Sequence, residues 1–260
     1  MQIACFQTDL TDPQWNLIEP SLPAARRTGR PRTPLRPVVN AIFYVLTTGC
    51  QWRLLPKSFP PWQTVYHLFS QWKRRDLWSA LNGRLRALVR EQEGKASRPT
   101  GAILDSQTVR SSAHGGEVGY DAGKKTKGRK RFLLVDTLGL VLGVLVQPAS
   151  QPERAGGKNP LGDLLPWLPR LRKLWADGGY TGEDFAQWAR HGRKKLQVEI
   201  VKRSDDVSGF QVLPKRWVVE RTFGWLMQHR RLARDHERSA SSATAWIYIA
   251  MIRIMARRLA

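Results

Sequence analysis

The sequence predicts an α/β protein: a mixed β-sheet with helices on its faces, preceded by an all-helical, helix-turn-helix-like segment. Three observations lead there. Apolar residues recur at helical spacing through the first part of the chain. A polar stretch carrying Gly and Pro, Glu91–Thr100 (EQEGKASRPT), then breaks the pattern. Beyond it, short apolar runs alternate with helical ones in the order strand, hairpin of two strands, helix, strand, helix, strand, helix. An antiparallel start followed by α/β crossovers is the pattern of a mixed sheet covered on both faces. The boundary is therefore placed between domains 1–95 and 96–260. A length of 260 residues with 42% apolar content is enough for one large core or two smaller ones.

Thr11-Asp12-Pro13 opens a short helix holding Trp15 and Ile18. Leu35, Val38, Val39, Ile42, Phe43 and Leu46 form one apolar stripe, which Gly49 stops. Trp62, Val65, Tyr66, Phe69 and Trp72 form the next after Pro60-Pro61, and Leu77, Leu81, Leu85 and Leu88 a third. Strands are expected at 102–107, 131–136, 140–146, 174–177 and 198–202. The second and third are joined by a turn at Thr137-Leu138-Gly139. Helices fit near 159–168, 181–191, 215–232 and 240–258. Trp62, Trp72, Trp175, Trp217 and Trp225 lie in apolar runs and are expected in the core. The stretch Ala245–Ala260 reads as an amphipathic helix that covers the sheet, with dimer contact as the alternative.

The balance of 43 Lys+Arg against 21 Asp+Glu, a formal charge of +22, calls for a polyanionic partner. The excess runs through the whole chain and is no detachable tail. A content of 11 Trp sets the chain apart from generic basic proteins of the ribosomal kind. Cys5 and Cys50 are too few for a disulfide framework or a four-cysteine zinc site. The histidines show no ligand spacing. No apolar run approaches the roughly 20 residues needed to span a bilayer, and no basic-then-apolar leader opens the chain. These features lead us to expect a cytoplasmic protein with no membrane contact.

In so basic a chain the acids are informative. Asp105 sits inside the apolar strand Ile103-Leu104-Asp105-Ser106, and Asp177 ends Leu174-Trp175-Ala176-Asp177 just before two glycines. Carboxylates at strand ends of an open α/β sheet point into the crevice where ligands bind. Glu220 lies in an apolar helical segment, four residues after Arg216. Carboxylates repel phosphodiesters unless a hard cation stands between them. Mg²⁺ takes oxygen ligands, and two such ions can activate the attacking oxygen and stabilise the leaving one. Singly, each residue has a plainer reading: a strand-end hydrogen bond for Asp105, turn chemistry for Asp177, a helix ion pair for Glu220. Asp136 competes with them, but its Asp-Thr-Leu-Gly context is that of a hairpin turn.

Several motifs together resemble one family. They are Thr48-Gly49-Cys50-Gln51-Trp52-Arg53-Leu54-Leu55-Pro56, Pro61-Trp62-Gln63-Thr64-Val65-Tyr66, Asp105-Ser106-Gln107, Gly128-Arg129-Lys130-Arg131, Val135-Asp136-Thr137-Leu138-Gly139, Ala176-Asp177-Gly178-Gly179-Tyr180 and Arg216-Trp217-Val218-Val219-Glu220-Arg221. From Asp12 to the C-terminus the chain resembles bacterial insertion-sequence DDE transposases of the insertion-sequence-five-like group. The resemblance implies an RNase H-like catalytic domain with Asp105, Asp177 and Glu220 as catalytic, metal-binding residues. It also implies two Mg²⁺ ions, with Mn²⁺ as substitute, and a nucleoid-associated bacterial protein acting as a homodimer or higher oligomer on double-stranded DNA. The family pattern around the glutamate is Tyr-x₂-Arg-x₃-Glu-x₆-Lys. Arg216 and Glu220 match it, while Leu213 and Met227 stand in place of Tyr and Lys. By helical geometry Arg230 or Arg231 would supply the missing cation.

DNA contacts are expected from several segments. The 61–75 helix presents Gln63, Thr64, His67, Gln71, Lys73 and Arg74 opposite its apolar stripe, as a major-groove reader would. Arg30 and Arg32 lie in a Gly-Arg-Pro-Arg segment resembling minor-groove hooks. Lys124, Lys125, Lys127, Arg129, Lys130 and Arg131 form a basic run beside the expected metal site, and Lys202 and Arg203 follow the last strand. Two rival readings are a DNA-binding regulator with an inert second domain and a structure-selective nuclease.

Overall fold

The computed structural model describes residues 6–24, 33–112, 116–152, 158, 162, 165–182, 185, 187–189, 196–201 and 215–260. Arg30, Arg32, Lys202, Arg203 and Leu213 lie outside the described residues, as do about half the residues of the two helices expected near 159–168 and 181–191. Four helices come first: α1 (Asp12–Ile18), α2 (Leu35–Thr48), α3 (Trp62–Arg74) and α4 (Leu77–Gln92). The strands are β1 (Gly101–Arg110), β2 (Gly119–Asp121), β3 (Thr126–Asp136), β4 (Val141–Pro148), β5 (Lys173–Asp177) and β6 (Gln197–Val201). Helices α5 (Arg216–Met227), α6 (Arg230–Ala233) and α7 (Ala240–Leu259) close the chain.

Strand β1 is central. It pairs antiparallel with β3, placing Asp105 opposite Leu133, and parallel with β5, which itself runs parallel to β6. Strands β2 and β4 pair with β3 beyond it. This is the mixed sheet of an RNase H-like domain, as expected. Each strand is longer than, or shifted from, its apolar run, because ladder bonding continues into polar residues such as Thr108 and Lys130. Successive side chains alternate between two cores, following the two-residue period of a strand. Ala102, Leu104, Phe132, Leu134, Leu174 and Ala176 pack on one face with Tyr180 and Phe185. Ile103, Leu133 and Val135 pack on the other, with Val218 and Val219 of α5 and Trp246 of α7. Asp105 has the parity of Ile103, and Asp177 that of Trp175, so both acids belong to the face that α5 covers.

The core does not follow the change from helices to strands. One apolar cluster runs from Leu10 and Ile18 through α2, α3 and α4 to Met255 and Ala256. Helix α7 is its axis, packed on β4 from one side and on α4, α2 and α1 from the other. It covers the sheet as expected, but it is not the amphipathic surface helix its sequence suggested. Trp246, Ile247, Ile249, Ala250, Met251 and Ile252 are all fully buried, because the N-terminal helices enclose its second face. Two further expectations change. The connection before α3 spans residues 49–61 and includes a 3₁₀ turn at Trp52–Leu54, so it is no short helix-turn-helix turn. The expected 215–232 helix is broken between α5 and α6, where His229 takes extended geometry.

Two turns depend on glycine. Gly49 ends α2 at φ 71°, with Arg230 Cβ 3.1 Å from where a side chain would begin. Gly139 closes the β3–β4 hairpin at φ 81°, against the Thr222 hydroxyl at 2.8 Å. Asp136 organises the same hairpin. Its Oδ1 accepts hydrogen bonds from the amides of Leu138 and Leu140, each at 2.9 Å. Its Oδ2 pairs with Arg90 Nη1 of α4 at 2.6 Å, with both side chains buried. The turn reading of Asp136 thus agrees with the structure. Replacing Asp136 by Ala strands a buried guanidinium and frees two turn amides. We expect a loss of about 3–5 kcal/mol, read as a lower urea midpoint with the slope unchanged.

Candidate active site

Three acids from three elements meet at one cleft. Asp105 comes from the middle of β1, Asp177 from the last residue of β5, and Glu220 from the second turn of α5. The cleft holds about 390 Å³ and is lined by these three with Ser106, Gln107, Thr108, Lys124, Arg216 and Phe223. Each aspartate is oriented by a backbone amide: Ser106 N–H donates to Asp105 Oδ1 at 2.7 Å, and Gly179 N–H to Asp177 Oδ1 at 3.0 Å. The second contact is made as the chain turns into Gly178–Tyr180. Phe223, one turn after Glu220, forms the apolar wall.

Arg216 stands among the acids. Its guanidinium lies 3.3 Å from Glu220 Oε1, 3.6 Å from Asp177 Oδ2 and 3.9 Å from Asp105 Oδ2. The expected Arg216–Glu220 helix pair is thus present, as one arm of a cluster that joins all three acids. Exposure grades across it, with the Asp105 side chain 9% exposed, Asp177 15% and Glu220 50%. Burial, and next the charge of Asp177, raise the Asp105 carboxyl to about 7. The Ser106 amide, Arg216 and Lys124 pull it back only in part.

The basic run divides in two. Lys124, Lys125 and Lys127 are exposed, and Lys124 lines the cleft. Arg129, Lys130 and Arg131 are buried, which corrects their expected role on DNA. Arg129 pairs with Asp235 at 3.0 Å and donates to the carbonyls of Glu117, Glu237 and Arg238. Lys130 lies 3.6 Å from Asp121. Arg131 donates to the Leu232 carbonyl, and burial holds it down to about 10 against the pull of Asp235 and Glu237. Arg231 is corrected likewise: it is buried against Glu237 at 2.6 Å, with its guanidinium over Trp246. Arg230, like Arg74, Gln63 and His67, is exposed, whereas Thr64, Gln71 and Lys73 are partly covered.

The tryptophans divide too. Trp72 is core, and Trp175 packs at its edge. Trp217 is 42% exposed beneath Arg221, and Trp225 lies between Arg221 and Arg258. Trp62 carries Arg53 over its ring. It lines a groove of about 440 Å³ with Tyr66, Lys73 and Arg238. Sequence reasoning missed Arg53 and Arg238 there, because no local pattern links residues so far apart.

Known proteins can be set beside this geometry. Residues 96–255 match the family model of the transposase DDE domain, and residues 10–82 match that of a transposase of the IS4/5 family. The chain belongs to the DDE transposases. It is similar to an uncharacterized 16.2 kDa protein of insertion element IS402 from Burkholderia cepacia, at 32% identity over 118 residues, covering 42% of this chain and 78% of that one. No solved structure matches it. As a DDE transposase it is a metal-dependent enzyme that cuts DNA.

The donor set suits a hard divalent cation, since the described residues of the cleft offer carboxylate oxygens and neither sulfur nor imidazole. Among the described residues no three acids, histidines or cysteines stand at metal-sharing distance. The carboxylates are spaced around the Arg216 guanidinium instead. No described helix is long and apolar enough to cross a membrane.

Because the Asp105 carboxyl is raised on folding, the native state holds its proton where the unfolded chain has lost it. Metal-free protein should therefore lose stability between about pH 4 and pH 7 through this group, by up to about 4 kcal/mol. We expect Asp105→Asn to remove that slope. In chelator, the difference in urea midpoint between variant and parent should widen in favour of the variant from pH 5 to pH 8. A second expectation separates the two halves of the basic run. Replacing Lys124, Lys125 and Lys127 by Ala should flatten the salt dependence of duplex binding by up to about three and leave thermal stability nearly unchanged. Arg129→Ala should instead lower the melting temperature, because it leaves Asp235 buried and unpaired.

Proposed function

We propose that this transposase binds the terminal inverted repeats of its insertion sequence, cuts DNA there and joins the freed end to a target. The convergence of Asp105, Asp177 and Glu220 on one cleft with basic residues at its edge carries the reading. Divalent ions, which we take to be a pair of Mg²⁺ held by the three carboxylates, supply the Lewis acidity that activates the attacking oxygen and stabilises the leaving one.

The chain's own residues do the rest. The Ser106 and Gly179 amides fix the carboxylate planes of Asp105 and Asp177, so the site is organised before substrate enters. Lys124 and Arg216 present cations to the phosphate, and Phe223 excludes water from one side. Hydrolysis of the phosphodiester leaves a 3′-hydroxyl. Its attack on a second phosphodiester conserves the number of such bonds, so joining needs no nucleotide cofactor. The exposed face of α3, with Gln63, His67 and Arg74, serves DNA recognition, together with Arg30, Arg32, Lys202 and Arg203. Concerted work on two ends requires at least a dimer.

The test is cleavage and strand transfer on duplexes carrying the sequence that flanks the gene, with Mg²⁺ and then Mn²⁺. We expect Glu220→Gln to bind duplex as the parent does and to lose cutting by two orders of magnitude or more, roughly the loss seen when one electrostatic group is removed from an active site. Equal cutting by both would remove Glu220 from the site. Binding with no cutting by the parent would favour a regulator, and cutting without joining a structure-selective nuclease.

A further inference from the structure

A second cavity, which the chemistry above does not use, opens at the other end of the helix that carries Glu220. It holds about 250 Å³ and is lined by Thr47, Gln228, His229, Arg253, Ile254 and Arg257. It forms where the last turn of α2, the junction of α5 with α6, and the C-terminal half of α7 meet. Gln228 follows Glu220 by about two helical turns.

The polar lining consists of two arginines, a histidine, a glutamine and a threonine. Arg253 is only 8% exposed, yet among the described residues no ion pair or hydrogen bond reaches it, and its strongest charged neighbour is Arg257. Burial and then that like charge hold Arg253 down to about 10. His229 is 5% exposed; the Trp225 carbonyl lies near its ring, but neither ring nitrogen makes a hydrogen bond of good geometry, and the Thr47 hydroxyl is buried without a partner. Burial first, then Arg253, lower His229 to about 4 against a weaker pull from the Trp225 carbonyl, so its ring is neutral. No carboxylate lines the cavity. Arg90, Arg129 and Arg231, also buried, each face an acid within 3.0 Å, and Arg131, which has no ion pair, donates to the Leu232 carbonyl. A buried cation left without an acid beside hydrogen-bonding groups left without partners is a costly arrangement that a ligand would relieve.

The missing component is therefore an anion with several acceptor oxygens. Guanidinium groups bind tetrahedral oxyanions through paired N–H donors, and Thr, Gln and a neutral imidazole add single donors. We propose that the pocket between α2, the α5–α6 junction and α7 binds a phosphate group, on the DNA backbone or free in solution. A backbone phosphate seated here would fix a strand at a set distance from the cleft along α5. The pocket rests on none of the three catalytic acids, and phosphate binding is measured without metal or cutting.

The full-length protein is tested in two ways. Thermal unfolding is followed in rising inorganic phosphate at ionic strength held constant with sodium chloride, and duplex binding is followed across a salt series. The variants are Arg253→Met, Arg253→Lys and Arg257→Gln; the last is at an exposed position and keeps the test usable if the buried variants fail to fold. A free-phosphate site gives the parent a saturable rise in melting temperature beyond chloride, lost in Arg253→Met and reduced in Arg257→Gln. A backbone-phosphate site gives no such rise, but both variants bind duplex about tenfold more weakly, with a salt slope shallower by about one. In either case Arg253→Lys falls between parent and Met, because it keeps the charge and loses the fork. The proposal is overturned if phosphate acts no differently from chloride and both variants bind duplex within twofold of the parent. It is equally overturned if Arg253→Met lowers ligand-free stability while both kinds of binding persist, which would make Arg253 a structural side chain.

Discussion

Few carboxylates stand among many cations in this chain, so the fold depends on where each buried acid meets its base. Asp136 meets Arg90 and ties α4 to the β3–β4 hairpin. Asp235 meets Arg129, and Glu237 meets Arg231, fixing the segment between α6 and α7 against β3 and the N-terminal helices. Asp121 meets Lys130 and anchors β2 beside the basic loop. Buried pairs of this kind add little net stability, but removing one partner costs much more than the pair is worth. They therefore act as registration points, and they explain why half of the 124–131 basic run turns inward. Among the described cations without an ion pair are the exposed Lys124, Lys125 and Lys127, of which Lys124 lines the cleft, and Arg253 and Arg257 in the second cavity.

The three acids of the cleft follow the same rule with one difference. Asp105, Asp177 and Glu220 share one guanidinium, and Lys124 lies at the edge. Sheet geometry makes this unavoidable. Parallel pairing of β1 with β5 sets Leu104 beside Ala176, so the next residue on each strand, Asp105 and Asp177, points to the same face at neighbouring positions. Helix α5 packs on that face through Val218 and Val219 and brings Glu220 to meet them. Burial of Asp105 first, and the neighbouring Asp177 charge second, raise its carboxyl to about 7.

Much of this could be read from the residues, and the reasons are local. The succession of β1, β3, β4, β5 and β6 followed from short apolar runs bounded by turns, whereas the three-residue β2 carries no such run and was not expected. Asp105 and Asp177 were conspicuous because an acid inside or at the end of an apolar strand breaks a two-residue pattern. Gly49 and Gly139 marked turns that only a positive φ satisfies. What the sequence hid is long-range. The burial of α7 on both sides requires α1 to α4 to fold back over it, and no periodicity within 240–258 says so. Arg129 and Arg131 look like a surface patch until Asp235 and Leu232, about a hundred residues on, are brought against them. Trp217 lies in an apolar run yet is exposed, because Val218 and Val219 take the inward face of α5.

The spacing around Arg216 bears on how such a site accepts metal. One guanidinium cannot satisfy three carboxylates: its contacts with them run from 3.3 to 3.9 Å, longer than good charge-assisted hydrogen bonds, and its Nε has no hydrogen-bond partner. The arrangement holds the acids apart with weak ion pairs rather than locking them. In the reading proposed above, Asp105, Asp177 and Glu220 would hold divalent metal, whose charge would favour the ionised form of Asp105 and compete with Arg216 for all three carboxylates. A guanidinium displaced from those carboxylates would be available to phosphate, so loading the metal and gripping the DNA would be coupled through a single electrostatic balance.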